Sequence, residues 1–259
     1  MEILKVIKIG GNLINNSTSL ETFIKHFARI EGPKILVHGG GSLATKMAEK
    51  MKIDVKIVGG RRVTDEQTLD VITMVYAGKI NKKLVATLQS NACNAIGFCG
   101  ADGNAIVSEK RPVKQIDYGF VGDVVKVNTA LLGLLIKHHV TPVFSAVTHD
   151  GNGELLNTNA DTVAAELAIA FAKNFQTELY YCFEKKGVLL DVTDEHSVVE
   201  NINQKKYDAF VENNVIADGM LPKLNNCFYA VHQKVQKVCI GNTDMLYNEH
   251  AKFTKIQAT

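Results

Sequence analysis

Two lysines far apart in the sequence, each close to glycine, have the type and setting needed for chemistry on a phosphate group. Lys8 stands in an apolar run that is followed by Gly10 and Gly11, and Lys223 follows the run Asp218-Gly-Met-Leu-Pro. Glycine turns leave backbone N–H groups open to phosphate oxygens, and a lysine beside them adds a positive charge. Taken alone, each lysine is equally well explained as a surface residue whose long side chain reaches water.

A second glycine turn, His38-Gly-Gly-Gly41, lies between a predicted strand and a predicted helix and is also suited to anions. The spacing of Gly39, Gly41 and Ala44 fits a loose dinucleotide-binding fingerprint. The next strand-like run ends in glycines and arginines instead of the acidic residue that would bind a ribose, which weakens that interpretation. No Walker A sequence occurs, and His38 is predicted to be structural.

Two polar pairs add further candidates. Arg61 and Arg62 precede a predicted helix start, and a guanidinium group binds a carboxylate through two parallel hydrogen bonds. Arginine pairs are nevertheless more often solvated surface residues. Asn157 and Asp161 straddle another predicted helix start, where either of them could be only a helix cap.

Strand-like and helical patterns alternate along the chain and must position these residues. Apolar runs such as ILKVIKI and KILVH predict buried strands, and Thr64-Asp-Glu-Gln67 reads as a capping box that opens a long helix. This alternation predicts an α/β fold with a mostly parallel sheet and helices on both faces. The apolar stripe of the long helix comprises Leu69, Ile72, Tyr76, Ile80, Leu84 and Leu88.

Composition excludes several classes of function. The 259 residues allow one large domain or two lobes, with the best boundary near residue 174. The 29 basic and 27 acidic residues nearly balance, which gives no electrostatic case for nucleic acid or an anionic membrane as a partner. There is no signal peptide and no apolar run long enough to span a membrane, and the five cysteines form no CxxC pair. We therefore expect a soluble cytoplasmic protein.

Together these clusters resemble the amino-acid kinase family, and the resemblance covers nearly the whole chain. Within that family the match is to the members that phosphorylate an N-acyl-glutamate. Each motif is modest alone, but their order and spacing are specific. The matching stretches are IKIGGN (7–12), LVHGGGS (36–42), GGRRVTDEQTLDVI (59–72), GFCGADG (97–103), GFVGDV (119–124), LLNTNADTVAAELA (155–168) and IADGMLPKL (216–224).

The resemblance implies an open αβα sandwich of two lobes and a reaction. Residues 1–174 would bind the acyl amino acid and form a homodimer through the long helix, and residues 175–259 would bind ATP. The γ-phosphoryl group of ATP, accompanied by Mg²⁺, would pass to the side-chain carboxylate of N-acetyl-L-glutamate, the second step of arginine synthesis. Because the chain starts at its first strand, without the extra helix of the arginine-inhibited hexameric members, the resemblance implies a dimer that is insensitive to arginine.

The resemblance also implies roles for individual residues. Lys8 and Lys223 would stabilise the phosphoryl group during transfer, and Asp161 would hold both lysines in position. No metal-ligand set in the protein is implied. The other implied contacts are Gly40, Gly41, Arg62 and Asn157 for the acyl amino acid, Gly10 and Gly11 for phosphate, and Glu184, Lys185, Gly187 and Gly219 for the nucleotide.

Two features keep alternatives open. The nucleotide strand ends in Cys182-Phe-Glu184-Lys-Lys-Gly187, where the family usually has an aspartate, so nucleotide binding could be altered there. The acyl group could be succinyl instead of acetyl, because a nearby cation such as Arg61 could meet an extra carboxylate. From a different class, an NADP-dependent oxidoreductase would use the Gly39–Ala44 spacing and the arginine pair, and a non-catalytic amino-acid sensor would keep the fold without the chemistry.

Overall fold

A computed structural model of the chain describes residues 1–213, 215–216 and 220–258. The strands are β1 (Ile3–Ile9), β2 (Lys34–His38), β3 (Ile57–Val58), β4 (Arg61–Arg62), β5 (Ala95–Phe98), β6 (Ile106–Lys110), β7 (Gly122–Val127), β8 (Thr141–Ser145), β9 (Val147–His149), β10 (Leu155–Asn157), β11 (Gln176–Cys182), β12 (Asn201–Ile202), β13 (Lys237–Gly241) and β14 (Thr254–Ile256). The helices are α1 (Gly11–Asn15), α2 (Ser17–Arg29), α3 (Gly41–Lys50), α4 (Glu66–Ile72), α5 (Asn81–Gln89), α6 (Thr129–Lys137), α7 (Ala160–Phe171), α8 (Gln204–Glu212) and α9 (Leu221–His232). Short 3₁₀ turns lie at Asp102–Asn104 and Thr243–Leu246.

The main sheet has eight strands in the order β12-β14-β13-β11-β1-β2-β8-β5. All neighbouring pairs are parallel except β13 and β14, which run antiparallel. This confirms the predicted α/β class with a mostly parallel sheet. β1 lies inside the sheet, where Lys8 is in register with Val37 of β2 on one side and with Tyr181 of β11 on the other.

The helices pack on both faces of this sheet, and β1 shows why. Its side chains alternate, so Leu4 and Val6 contribute to a core with α7 and α9, whereas Ile7 and Ile9 contribute to a second core with α2 and the long helix. All four of these side chains are fully buried. Burial of one such aliphatic side chain contributes about 1.5–3 kcal/mol, so a strand with two apolar faces is stable only between two helical layers.

A smaller antiparallel sheet, in the order β10-β9-β6-β7, was predicted only in part. The sequence predicted strands near β6 and β7, and these two strands do pair antiparallel. β9 and β10 have three residues each, too few for a periodic pattern. A bridge between Val121 and Asn157 links the edges of this sheet beside the site described below.

The long helix consists of α4, a π-helical segment over Thr73–Ile80 (the π segment) and α5. Its N-cap is Asp65, whose side chain accepts a hydrogen bond from the Thr68 N–H at 2.8 Å, so the prediction of a capping box starting at Thr64 was wrong by one residue. The predicted apolar stripe is buried along its whole length.

The predicted lobe boundary after residue 174 falls between α7 and β11. The main sheet crosses it, because β1 from the first part pairs with β11 from the second. The division into lobes with separate binding roles stays a prediction. In the described ranges, the helices are too short or too polar to cross a bilayer.

Candidate active site

Lys8, Asp161 and Lys223 meet at the carboxyl end of β1. The Lys8 Nζ atom lies 2.7 Å from Oδ1 of Asp161, and the Lys223 Nζ atom donates a hydrogen bond to Oδ2 at 2.8 Å. The side chains retain only 10–15% exposure. One carboxylate therefore binds two ammonium groups that are 215 residues apart in the chain, counting from position 8 to position 223.

Three elements hold this cluster rigidly. Asp161 lies in the first turn of α7, whose N-cap Asn159 accepts hydrogen bonds from the backbone N–H groups of Asp161 and Thr162. The Tyr181 hydroxyl of β11 donates to the Asp161 carbonyl at 2.9 Å, and the Tyr181 ring lies 5.4 Å from the Lys223 ammonium. Lys223 itself is in the first turn of α9, after Pro222.

The electrostatics of the cluster favour a bound anion. Burial alone would raise the pKa of Asp161, but the charges of Lys8 and Lys223 outweigh it and hold that pKa well below its usual value. Burial lowers the pKa of Lys8, and the second ammonium lowers it further, although Asp161 opposes both. With both lysines protonated, the cluster carries one uncompensated positive charge in a poorly solvated place.

The first glycine turn lies directly below this cluster. The Gly10 N–H donates to the Cys182 carbonyl at 3.2 Å and thereby joins the turn to β11. This N–H is engaged in the sheet, so the backbone donor that the turn presents is the N–H of Gly11, at the start of α1. Gly11 lines the cavity described next, together with Lys8.

A cavity of about 450 Å³ extends from the cluster toward the long helix. It is lined on one side by the second glycine turn and on the other by arginines and by the residues before α7. Six of the sequence-predicted site residues line it: Lys8, Gly11, Gly40, Gly41, Arg62 and Asn157.

Arg62 is aimed into this cavity by a tight hairpin. β3 and β4 are joined by Gly59 and Gly60, whose φ angles of +55° and +73° suit a two-residue turn that favours glycine. One terminal nitrogen of the Arg62 guanidinium donates to the Gly41 carbonyl at 3.1 Å and to the Thr45 hydroxyl at 2.7 Å. The guanidinium is thus fixed against the start of α3.

Asn157 is fixed from the opposite wall. Its side-chain nitrogen donates to the Thr64 hydroxyl at 2.9 Å, and its backbone N–H donates to the Phe120 carbonyl. These bonds tie the end of β10 to the residue before the long helix, and they leave the amide oxygen of Asn157 available to the cavity.

The predicted nucleotide residues lie in several settings. Glu184 is exposed and its carboxylate accepts a hydrogen bond from the Asn12 amide of α1, whereas Lys185 pairs with Glu195 at 3.5 Å. Gly187 is buried against β14, where a side-chain carbon would lie 2.6 Å from the Thr254 hydroxyl. Close packing therefore explains this glycine. Gly219 lies outside the described residues, and the assignment of all four to nucleotide binding stays a prediction.

Several contacts in the site were missed by the sequence reasoning. Thr45 and Tyr181 hold predicted site residues in place, and Arg111 lines the cavity while its Nε donates to Asp123 at 3.1 Å. Tyr181 lies within an apolar run, and the signal that could have identified it was its register opposite Lys8 on neighbouring strands. Thr45 gives a usable signal only from its helical spacing of four residues after Gly41.

Metal ligands are not clustered in the described part of the chain. Across residues 1–213, 215–216 and 220–258, no group of three or more His, Cys, Asp or Glu side chains is close enough to hold an ion. The carboxylate nearest the cavity, Asp161, is already bound to two ammonium groups.

Sequence relatives share this chain nearly end to end. It is 51% identical over 247 residues to the acetylglutamate kinase of Cytophaga hutchinsonii, a match that covers 95% of this chain and 94% of that protein. It is 52% identical over 248 residues to the acetylglutamate kinase of Bacteroides fragilis, covering 96% and 95%. The relatives therefore match the chain over both predicted lobes.

Solved structures show the same fold. The chain superposes on smu.665 from Streptococcus mutans UA159 with a TM-score of 0.83 at 26% identity, covering 99% of both chains. It superposes on carbamate kinase from Giardia lamblia bound to AMP-PNP with a TM-score of 0.74 at 14% identity, covering 100% of this chain and 99% of the other. Residues 4–242 match the sequence profile of the Amino acid kinase family. The chain belongs to the amino acid kinase family.

Proposed function

We propose that the protein is an acetylglutamate kinase, which transfers the γ-phosphoryl group of ATP to the side-chain carboxylate of N-acetyl-L-glutamate. The product is an acyl phosphate, and the reaction serves arginine synthesis. The observation that carries the proposal is the pair of lysines held by Asp161 at the mouth of a cavity that contains Arg62. Two relatives named acetylglutamate kinase, each about half identical over almost the full length, support it.

The chemistry needs positive charge and not a general base. The acceptor is already a carboxylate, so it attacks phosphorus without losing a proton. An anion approaches an anionic phosphate, and negative charge spreads over the transferring group. Lys8 on the side of the acyl amino acid and Lys223 on the side of the nucleotide supply the charges that this transfer requires. Preorganised donors of this kind are each worth roughly two to three orders of magnitude in turnover.

The acyl amino acid would lie in the cavity. The guanidinium of Arg62 would bind the α-carboxylate, with Asn157 beside it, and the N–H groups of Gly40 and Gly41 would bind an anionic oxygen. Asp161 would not react. It would keep the two ammonium groups apart at fixed positions and preserve their protonated forms.

ATP would enter from the side of α9, with its phosphates near Gly11 and Lys223. Mg²⁺ would neutralise part of the phosphate charge when bound. Since Asp161 is committed to the lysines, phosphate oxygens and water would hold the ion, as Mg²⁺ often prefers in nucleotide sites. The departure at Glu184 belongs to this side, where its contact with Asn12 joins the nucleotide strand to α1.

N-succinyl-L-glutamate is a second candidate acceptor, and one observation favours it. Arg61 and Arg111 also line the cavity beyond Arg62, and both continue into an adjoining pocket of about 540 Å³ with Lys114. An acyl chain that ends in a carboxylate would find cations there. The acetyl compound stays the first candidate because of the named relatives.

The NADP-dependent oxidoreductase is set aside. Its fingerprint depended on the turn before α3, and that turn is pressed against the long helix, with Arg62 directed at Thr45. Membership of the amino acid kinase family gives the same turn a role with an acyl amino acid, and it gives Lys8, Asp161 and Lys223 a role that the oxidoreductase left unexplained.

The proposal is tested by trapping the product. Purified protein with ATP and Mg²⁺ is incubated separately with N-acetyl-, N-succinyl- and free L-glutamate, and hydroxylamine converts any acyl phosphate to a hydroxamate. We expect hydroxamate from the acetyl compound and none from free glutamate. A stronger signal from the succinyl compound would select the second candidate, and no hydroxamate from any acyl-glutamate would refute the kinase assignment.

Two further statements belong to this proposal. A homodimer through the long helix is supported by exposed apolar residues on it, such as Met74, which is 50% exposed in the single chain. A cytoplasmic location follows from a biosynthetic reaction that consumes ATP, and cell fractionation would test it.

A further inference from the structure

Asn81 is a fully buried amide in the long helix that the proposed chemistry does not use. It is the first residue of α5, directly after the π segment. Its Nδ2 group donates to the Val143 carbonyl of β8 at 2.8 Å and contacts Nε2 of His38 at 3.1 Å. Burying an amide costs free energy unless it is hydrogen-bonded, so these two bonds hold it in the core.

The Asn81 amide determines which nitrogen of His38 carries the proton. His38 is fully buried at the end of β2, and burial lowers its pKa to about 4, so the ring is neutral near pH 7. Since Asn81 Nδ2 can only donate, Nε2 must accept, and the single ring proton is on Nδ1. Nδ1 lies 2.9 Å from the Gly39 carbonyl oxygen and therefore donates to it.

This hydrogen bond fixes a peptide unit of the second glycine turn. The Gly39 carbonyl and the Gly40 N–H belong to one planar trans peptide, in which they point in opposite directions. With the carbonyl held toward His38, the Gly40 N–H is turned away from the core, on the side where Gly40 lines the cavity. A turn of three glycines has no side chain to hold it, so its orientation depends on such neighbours.

The surrounding residues make room for this arrangement at a cost. A side-chain carbon on Gly97 of β5 would lie 1.9 Å from Oδ1 of Asn81, and one on Gly40 would lie 2.4 Å from Cδ1 of Ile80. Oδ1 itself is buried and finds no donor among the residues that the structure describes. An unpaired buried oxygen destabilises the fold, so a residue chosen for stability alone would not be an asparagine.

We propose that Asn81, acting through His38, is a positioning residue that orients the Gly40 N–H toward the carboxylate of the acyl amino acid. The identity of that carboxylate rests on the proposed function. A backbone N–H directed at an ionised oxygen forms a charge-assisted hydrogen bond, which is strong only when the donor is aligned before the ligand arrives.

Kinetics of Asn81→Ala against Leu84→Ala test the role. Leu84 is buried one turn further along the same helix, so its truncation also destabilises the core but leaves the network intact. We expect Asn81→Ala to raise KM for N-acetyl-L-glutamate about tenfold, as for loss of one hydrogen bond to a charged group, with KM for ATP unchanged. Leu84→Ala should leave both constants unchanged. Equal effects of the two variants on KM would overturn the proposal.

A pair of histidine variants separates positioning from packing. In His38→Asn the shorter amide reaches the place of Nδ1 and still donates to the Gly39 carbonyl, whereas in His38→Gln the amide reaches the place of Nε2. We expect His38→Asn to retain a KM for the acyl amino acid closer to that of the unaltered protein. If His38→Gln performs as well or better, the Nδ1 hydrogen bond is not what positions the turn.

Nitrogen-15 NMR of the His38 ring tests the network without any activity. We expect Nδ1 to be protonated in the unaltered protein and the proton to shift to Nε2 in Asn81→Ala. A ring protonated at Nε2 in the unaltered protein would overturn the inference even if the kinase assay succeeds. A ring protonated at Nδ1 together with no kinase activity would support the network and count against the proposed function alone.

Discussion

At the scale of single residues, Lys8 and Arg62 should fail in different ways. Arg62→Ala removes a group that binds the acyl amino acid in the ground state and the transition state alike, so it should raise KM for that substrate at least tenfold. KM for ATP should stay nearly constant. Lys8→Ala removes charge needed mainly during transfer, so kcat should fall far more than KM rises.

Steady-state kinetics with each substrate varied in turn check this contrast. Arg29, an arginine in the last turn of α2, provides a matched control, because Arg29→Ala removes the same charge away from the cavity. Equal damage to both Michaelis constants by Arg62→Ala would contradict the role given to Arg62.

Asp161→Asn should damage both activity and stability. The amide leaves two buried ammonium groups without a counter-charge, and breaking a buried ion pair in this way costs about 3–5 kcal/mol. We expect kcat to fall by about a hundredfold or more. The substitution is isosteric, so the loss is electrostatic and not one of packing. The surface pair of Lys25 and Glu21 provides the control, since Glu21→Gln should leave the melting temperature unchanged.

The pH dependence of that loss has a defined sign. The pKa of Asp161 is lowered in the folded protein, so its contribution to the free energy of unfolding is fully present above the ordinary carboxyl value of 3.8. It disappears only as the pH falls through the lower folded-state value. Urea unfolding of the unaltered protein and Asp161→Asn should give a constant difference from pH 8 to pH 5 that narrows in stronger acid. A difference that vanishes already near pH 6 would be inconsistent with this electrostatic account.

At the scale of elements, the start of α7 positions the catalytic carboxylate. Asn159 caps this helix, and its side chain accepts from the Asp161 N–H at 2.7 Å. Asn159→Ala should cost about 1 kcal/mol of stability and also lower kcat, because Asp161 loses its fixed position. Asn203 caps α8 in the same way through the Lys206 N–H, so Asn203→Ala should cost similar stability without lowering kcat. Thermal melts and kinetics on both variants measure the two effects.

The sequence predicted these elements where a long pattern existed. The alternation of β1 and the glycines after it predicted both the buried strand and the position of Lys8. Asp161 was predicted at a helix start, but its contact with Lys223 depends on α9, more than fifty residues later along the chain, and only the family resemblance brought the two together. Tyr181 was missed because an aromatic residue in an apolar strand has the pattern of ordinary core.

The π segment was also missed, although its signal lies in the sequence. The apolar stripe advances by four residues at each step from Ile72 through Tyr76, Ile80 and Leu84 to Leu88. Four residues overshoot an α-helical turn by about 40°, so a regular helix could not keep all five on one face. The wider turns of the π segment bring them back to the core. Counting the steps, instead of noting their presence, would have predicted the irregularity.

At the scale of the whole molecule, the proposed dimer depends on the long helix. Met74 lies in the π segment and is half exposed in the single chain. If the helix pairs with its copy, Met74→Glu places a charge in an apolar interface and should convert the dimer to a monomer. Light scattering during gel filtration measures the mass. Val192→Glu alters a similarly exposed apolar residue in a loop and should leave the dimer intact. A monomeric unaltered protein would disprove the dimer.

The π segment also fixes the length of the long helix to the single residue. Each residue turns an α-helix by about 100°, so deleting Gly78 and restoring regular winding would swing everything downstream by more than a quarter of a circle. Asn81 would then leave His38 while the leucines after it lost their seats. Loops such as residues 191–196 can lengthen or shorten at little expense. In this helix, the chain tolerates changes of side chain far better than changes of count.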